Sequence, residues 1–168
     1  GFPYPWSVYR WLDGEPASKA QIDDLPAFAS ALAGFLTALR RVDATGGPEP
    51  GQHNFFRGGP LGTYEEETLQ AIDTLGDEIP TAAVTRVWED AMSTAWDRAP
   101  VWVHGDVATG NLLVRQGRLG AVLDFGSSGV GDPACDMVIA WTFLSGSSRD
   151  RFRAEIDVDA GTWSRGRG

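Results

Sequence analysis

Cysteine, lysine and histidine are nearly missing from this 168-residue sequence. A single thiol, Cys135, excludes an intrachain disulfide and a metal site built from several cysteines, and it suits a reducing cytoplasm. His53 has no second His or Cys near it and reads as a solvated loop residue. Lys19 is the only lysine; the other cations are arginines. Long apolar runs are also lacking: none approaches the roughly 18 residues that span a bilayer, so no membrane partner is expected. No basic stretch followed by an apolar one marks a signal peptide. Positive charge is scarce, with 14 Lys and Arg against 23 Asp and Glu and a net charge of −9. Such a surface repels nucleic acid phosphates and suits a cationic partner. What remains is 42% hydrophobic, with seven Trp and eight Phe, the composition of a folded domain with a real core.

Periodicity predicts a mostly helical chain with a few short strands. Trp6 to Leu12, rich in aromatic and branched residues, reads as a strand, and Asp13 to Pro16 as the turn after it. From about Leu25 to Val42 the apolar residues recur at helical spacing, with Asp23 or Asp24 as cap. A Gly/Pro-rich stretch from Gly46 to Gly62 interrupts regular structure. Thr63 with Glu66 reads as a capping box for a helix to about Leu75. A third helix is expected over Ala82 to Asp97. Asp132-Pro133 opens another that runs to Leu144, and a short one begins near Ser148.

Residues 101–132 break the helical pattern. Val101 to Val103 reads as a short strand leading into His104-Gly105-Asp106, and Asn111 follows five residues after Asp106. Leu112 to Val114 and Leu119 to Leu123 flank the turn Arg115-Gln116-Gly117-Arg118 and read as a β-hairpin. Pairing about the centre of that turn sets Asp124 opposite residue 109, close to Asn111. Two carboxylates and a carboxamide then converge at one end of the hairpin, with His104 behind them. Asn111 and Asp124 offer the hard oxygen ligands that magnesium prefers, while Asp106 can accept a proton from a substrate hydroxyl. Phosphoryl transfer needs that division of labour. The glycines of residues 126–131 run GxxGxG, not the dinucleotide order GxGxxG, and read as turn formers.

The string from His104-Gly105-Asp106 through Asn111-Leu112-Leu113-Val114 to Asp124-Phe125-Gly126 and Gly131-Asp132-Pro133-Ala134-Cys135-Asp136 resembles the aminoglycoside phosphotransferase family. Arg57-Gly58-Gly59-Pro60-Leu61 and the terminal Thr162 to Gly168 strengthen the likeness, which covers nearly the whole chain. The resemblance implies an α/β (α+β) fold, the mostly helical C-terminal lobe of a kinase-like protein with a short catalytic hairpin. Residues 1–14 would be the end of an N-lobe strand and hinge, and 15–168 the helical lobe, with the chain cut at both ends. Asp106 would be the catalytic base, with His104 supporting its loop. Asn111 and Asp124 would bind Mg2+ and, through it, ATP or GTP, and Arg10 and Leu12 would meet the adenine edge. Asp132 and Asp136 match family positions too, but read first as helix-start residues.

Such kinases also need a loop over the phosphates and a strand lysine. Lys19 follows the hinge-like turn and cannot serve. The expected activity is transfer of the γ-phosphate to a hydroxyl of a small molecule, an aminoglycoside or other antibiotic among the candidates. The alternatives are a non-catalytic, ligand-binding remnant of such a kinase, and a metal-dependent phosphohydrolase.

Overall fold

The computed structural model describes residue 4 and residues 6–168. Regular structure begins with a two-residue strand, β1 (Glu15–Pro16), followed by helix α1 (Leu25–Leu39). Helices α2 (Glu65–Leu75) and α3 (Thr81–Met92) form a pair beyond the Gly/Pro-rich stretch. Four strands come next: β2 (Val101–Val103), β3 (Leu112–Arg115), β4 (Arg118–Val122) and β5 (Gly129–Gly131). A 3-10 segment (Pro133–Val138) runs into α4 (Ile139–Thr142), and α5 (Gly146–Glu155) and α6 (Ala160–Arg165) complete the described elements.

Helix α1 starts where Asp24 accepts the N–H of Ala27 at 2.9 Å and Pro26 fills the first turn. Its buried face, Phe28, Leu32 and Leu36, packs mainly on α5, where Phe152 is fully buried. Met137, Ile139 and Leu144 close the same core, and Val107 and Leu112 bring the site loop and the hairpin onto it. The chemistry-bearing segment therefore rests directly on this apolar core, whose burial fixes its position.

Two small antiparallel sheets frame that segment. One has the order β1-β3-β4 and the other pairs β2 with β5, with Val103 opposite Gly129. The β3–β4 turn is made by Gln116 (φ 52°) and Gly117 (φ 70°), two left-handed residues that match the twist of a tight hairpin. Gly120 is the extra residue of a bulge: Val114 faces Leu119, but Leu113 faces Ala121. The pairing thus slips by one from the expected register, and its continuation sets Asp124 opposite Gly110 instead of residue 109.

Several expectations are corrected. Trp6 to Leu12 is not a strand. Trp6, Val8, Tyr9 and Trp11 are 70 to 87% exposed, and no strand among the described residues pairs with them. Pairing starts instead at the expected turn, because Glu15 and Pro16 lie beside Val114 and Leu113. The Thr63/Glu66 box does not form: Leu61–Tyr64 is a 3-10 turn, the Thr63 N–H goes to the Pro60 carbonyl at 3.0 Å, and α2 has no side-chain cap. Helix α3 ends at Met92, where the Ser93 hydroxyl donates to the Asp90 carbonyl at 2.7 Å. Pro133 opens a 3-10 segment before the short α4, although Asp132 caps it as expected, accepting from the Ala134 N–H at 3.0 Å. Among the described residues no helix is long and apolar enough to cross a membrane.

Candidate active site

Strand β2 delivers His104-Gly105-Asp106 to the edge of the core. Gly105 has φ +80°, and a Cβ there would lie 2.3 Å from the Ser127 carbonyl oxygen, so only glycine fits the bend. His104 is fully buried, its ring 4.7 Å from that of Phe125. Its Nδ1 accepts the Asp106 N–H at 3.2 Å, and its Nε2 lies 2.9 Å from the Leu123 carbonyl. A backbone N–H can only donate and a carbonyl can only accept. The ring is therefore neutral and carries its proton on Nε2. Both nitrogens are spent on backbone, one on the Asp106 loop and one on the strand end before Asp124.

Asp136 holds the loop from the other side. Its carboxylate accepts the N–H groups of His104 (2.9 Å) and Gly105 (2.8 Å). Burial pushes this carboxyl above its ordinary range, and the two N–H groups oppose that push. Sequence reading assigned Asp136 to the dipole of a helix start. Its actual task joins residues 32 apart in the chain, and no local spacing signals such a contact.

Asp106 itself is exposed. The Asn111 side-chain N–H donates to Asp106 Oδ2 at 2.9 Å and to its backbone carbonyl at 3.0 Å, which fixes the carboxylate while leaving Oδ1 open. The same carbonyl accepts the Ala108 N–H at 2.9 Å, closing the loop between the two residues. Asp124 follows β4 in a left-handed conformation (φ 63°), a region in which Asp is enriched, and its Oδ1 accepts the Gly126 N–H at 3.3 Å. The Leu123 N–H donates to the Asn111 carbonyl at 2.8 Å, so the backbones that carry Asn111 and Asp124 are joined next to each other. Of the six sequence-predicted residues the structure ties four together: His104, Asp106, Asn111 and Asp124. Arg10 and Leu12 are not among them. They lie exposed on the segment leading into β1, and no hydrogen bond or ion pair joins them to the other four.

The donor set can be tested for a metal ion. Asn111 spends its amide N–H groups on Asp106, which leaves its side-chain oxygen for a ligand, and Asp124 is an exposed carboxylate. Among the described residues no three His, Cys, Asp or Glu side chains converge as a metal-binding group. That excludes a closed cage of the zinc type but fits magnesium, which takes one or two carboxylates and completes its shell with water and phosphate. A cavity of about 280 Å³ opens beside Asp106, lined also by Arg57, Thr109, Cys135 and Thr142.

The site thus combines a short strand feeding a buried His, an exposed Asp braced by an Asn five residues on, and an Asp beyond a hairpin. The whole chain, residues 1–168, matches the phosphotransferase enzyme family (APH), and the chain belongs to that family. Its fold is that of the C-terminal portion of aminoglycoside phosphotransferases. The GDP and kanamycin complex of APH(2")-IIia is similar at 21% identity and a TM-score of 0.66, over 94% of this chain and 57% of that one. A macrolide 2'-phosphotransferase from Brachybacterium faecium, MphH, gives 20% identity and a TM-score of 0.63, over 94% and 57% of the two chains. ADP-bound APH(2'')-Ib gives 20% and 0.56, over 92% and 57%. The chain thus spans little more than half the length of these structures. No curated protein matches it in sequence.

Proposed function

We propose that this chain is the acceptor-activating part of an ATP-dependent phosphotransferase acting on a hydroxyl of a small molecule, with antibiotics as candidate acceptors. The observation that carries the reading is the Asp106–Asn111 contact at 2.9 Å, which fixes an exposed carboxylate beside a cavity that Asp106 lines. In this reading the acceptor hydroxyl donates to Asp106 Oδ1. As its oxygen bonds to the γ-phosphorus and the bond to the β-phosphate oxygen breaks, the hydroxyl proton passes to Asp106. Asn111 and Asp124 would hold Mg2+, which neutralises charge on the nucleotide phosphates when bound. His104 is a positioning residue: it couples the Asp106 loop to the strand before Asp124 without touching substrate.

Residues 1–14, of which the described ones form no strand, would come from the end of an N-lobe and its hinge, with Arg10 and Leu12 at the adenine edge of ATP or GTP. We place the reaction in the cytoplasm, where ATP and a reduced Cys135 coexist. The experiment is Asp106→Asn in the full-length protein, followed by nucleotide-dependent phosphorylation of an acceptor. Loss of a general base costs about 10²–10⁴ in kcat, with little change in nucleotide affinity. Undiminished transfer by the variant would remove Asp106 from the mechanism. Asp124→Asn should instead abolish magnesium-dependent ATP binding in calorimetry.

A further inference from the structure

A second cavity, about 530 Å³, adjoins the one beside Asp106 and runs between α2, α3 and the 3-10 segment after Asp132. Arg57, Cys135 and Val138 line both cavities and so form their common wall. We infer that the larger cleft seats the body of the acceptor, and that it selects a neutral alcohol with an apolar face over a polyamine. The inference rests on the reading of Asp106 as the base and names the substrate class of that same site.

The cleft has the size of small-molecule sites, about 300–1,000 Å³. Its wall is mostly apolar, with Leu61, Ile72, Val84 and Trp88 among its residues. Its charges nearly cancel. Asp132 and Arg165 both reach the cleft, but they are spent on each other at 2.6 Å with side chains 9% and 3% exposed. Of the three consecutive glutamates that open α2, only Glu67 lines the cleft. Arg57 lines it too, and among the described residues no ion pair holds its guanidinium. The chain's net charge of −9 is therefore not concentrated here. A polyamine would have to strip water from several ammonium groups with a single free carboxylate to receive them. Arg57 would also repel an amine at the wall shared with the cavity beside Asp106, whereas it can donate to an acceptor's hydroxyl or carbonyl oxygen.

The loop that presents Arg57 is built for one conformation. Phe55 and Phe56 are both left-handed, at φ 54° and 57°, a costly geometry for aromatic residues. It is held by buried Asn54, which accepts the Gly51 N–H at 2.9 Å and donates to the Arg57 carbonyl at 3.2 Å. The Phe56 N–H adds a bond to the Gly51 carbonyl at 2.8 Å, and the Tyr64 hydroxyl bonds the Phe55 carbonyl. The Gly58 carbonyl takes the Asp132 N–H at 2.8 Å, which docks the loop beside β5. Strain secured this way at a cavity wall places Arg57 between the two cavities.

The test is calorimetric titration of the chain without nucleotide, using chloramphenicol as a neutral aromatic alcohol and kanamycin as a polyamine. Wild type should bind chloramphenicol more tightly. Thr68→Glu puts a carboxylate on the half-buried cleft wall; it should weaken chloramphenicol about tenfold and strengthen kanamycin. Val84→Ser keeps the wall neutral and guards against a folding defect in the first variant; it should weaken only chloramphenicol, by several-fold. The inference is overturned if chloramphenicol does not bind, if neither variant weakens it, or if wild type prefers kanamycin. Transfer to kanamycin by the full-length protein, with Asp106 essential, would sink the cleft selectivity and leave the kinase reading intact. Cleft binding with no nucleotide-dependent transfer would do the reverse.

Discussion

Arg165→Met should cost this fold more than any surface change, and the structure gives the size of the loss. The Arg165 Nε and Nη2 reach the two oxygens of Asp132 at 2.6 and 3.2 Å, with both side chains almost fully buried. Nη1 donates to the Thr94 hydroxyl at 3.0 Å, and Nη2 also to that of Thr162 at 3.2 Å, so one guanidinium ties α6 to the segment after α3 and to the start of the 3-10 turn. Met fills similar volume but leaves Asp132 a buried anion, with the Ala134 N–H as its remaining side-chain bond. Breaking such a pair from one side costs about 3–5 kcal/mol, a large part of the roughly 5–15 kcal/mol that holds a domain folded. At about 2–4 °C per kcal/mol for this size, Tm should fall by roughly 6–20 °C. Urea denaturation followed by circular dichroism measures the difference. The double variant Asp132→Asn/Arg165→Met should recover at least about 1 kcal/mol, since the stranded charge is gone while the cap oxygen remains. A loss below about 1 kcal/mol in the single variant, with no recovery in the double, would refute the claim that this pair holds the C-terminal helix.

Gly117→Ala should destabilise the hairpin by about 1–2 kcal/mol, because φ is +70° and the new Cβ would lie 2.0 Å from Asp23 Oδ2; thermal melts check this. Asp136→Ala strands the N–H groups of His104 and Gly105 in the interior, at a cost of about 2–5 kcal/mol in urea denaturation. On the proposed reading it should lower kcat of the full-length protein more than nucleotide affinity, since it disturbs the Asp106 loop and not Asn111 or Asp124. Asp159 caps α6 through the Thr162 N–H at 2.7 Å, and that bond holds its carboxyl below the ordinary range. Because its folded pKa is depressed, its contribution is full above the ordinary value near 3.8 and is lost as pH falls through the folded value. Asp136, raised by burial, acts in the opposite sense: stability falls as pH rises from about 3.8 toward its folded value. Asp159→Asn should flatten the first slope, in denaturation midpoints taken at pH values below 3.8, and Asp136→Asn the second, in midpoints taken above it.

The features legible in the sequence are those whose physics is local. His104, Asp106 and Asn111 sit within eight residues, and a tight turn at Gln116-Gly117 can be read from two flanking apolar runs. The cap at Asp132 depends on a neighbour two residues on. The register of Asp124 was nearly legible as well. It differs by one residue because Gly120, inside a run that reads as a regular strand, is the extra residue of a bulge. Trp6 to Leu12 failed for the opposite reason: strand propensity is a statement about packing, and the described residues give this segment nothing to pair with. Thr63 lost its capping role because its N–H was captured by a 3-10 turn that began two residues earlier.

The contacts that sequence reasoning did not supply share one property, which is that they act across long stretches of chain. Asp136 closes on a loop 31 and 32 residues away, and Arg165 on an aspartate 33 residues away. The Gly/Pro-rich stretch reads in sequence as an interruption of regular structure. Yet its Gly58 packs so closely on β5 that a Cβ on Gly131 would lie 2.1 Å from the Gly58 carbonyl oxygen. Gly47 and Gly129 meet the opposite stretch in the same way, a Cβ on Gly129 lying 2.9 Å from the Pro48 carbonyl oxygen, so two backbones touch where Arg57 reaches the wall shared by the two cavities. The glycines read as mere turn formers are thus a packing seam, and a side chain at either Gly58 or Gly131 should displace Arg57 without altering the Asp106–Asn111 contact. Acceptor affinity would fall while the proton-accepting geometry stayed whole, so binding and transfer are separable by mutation in this fold.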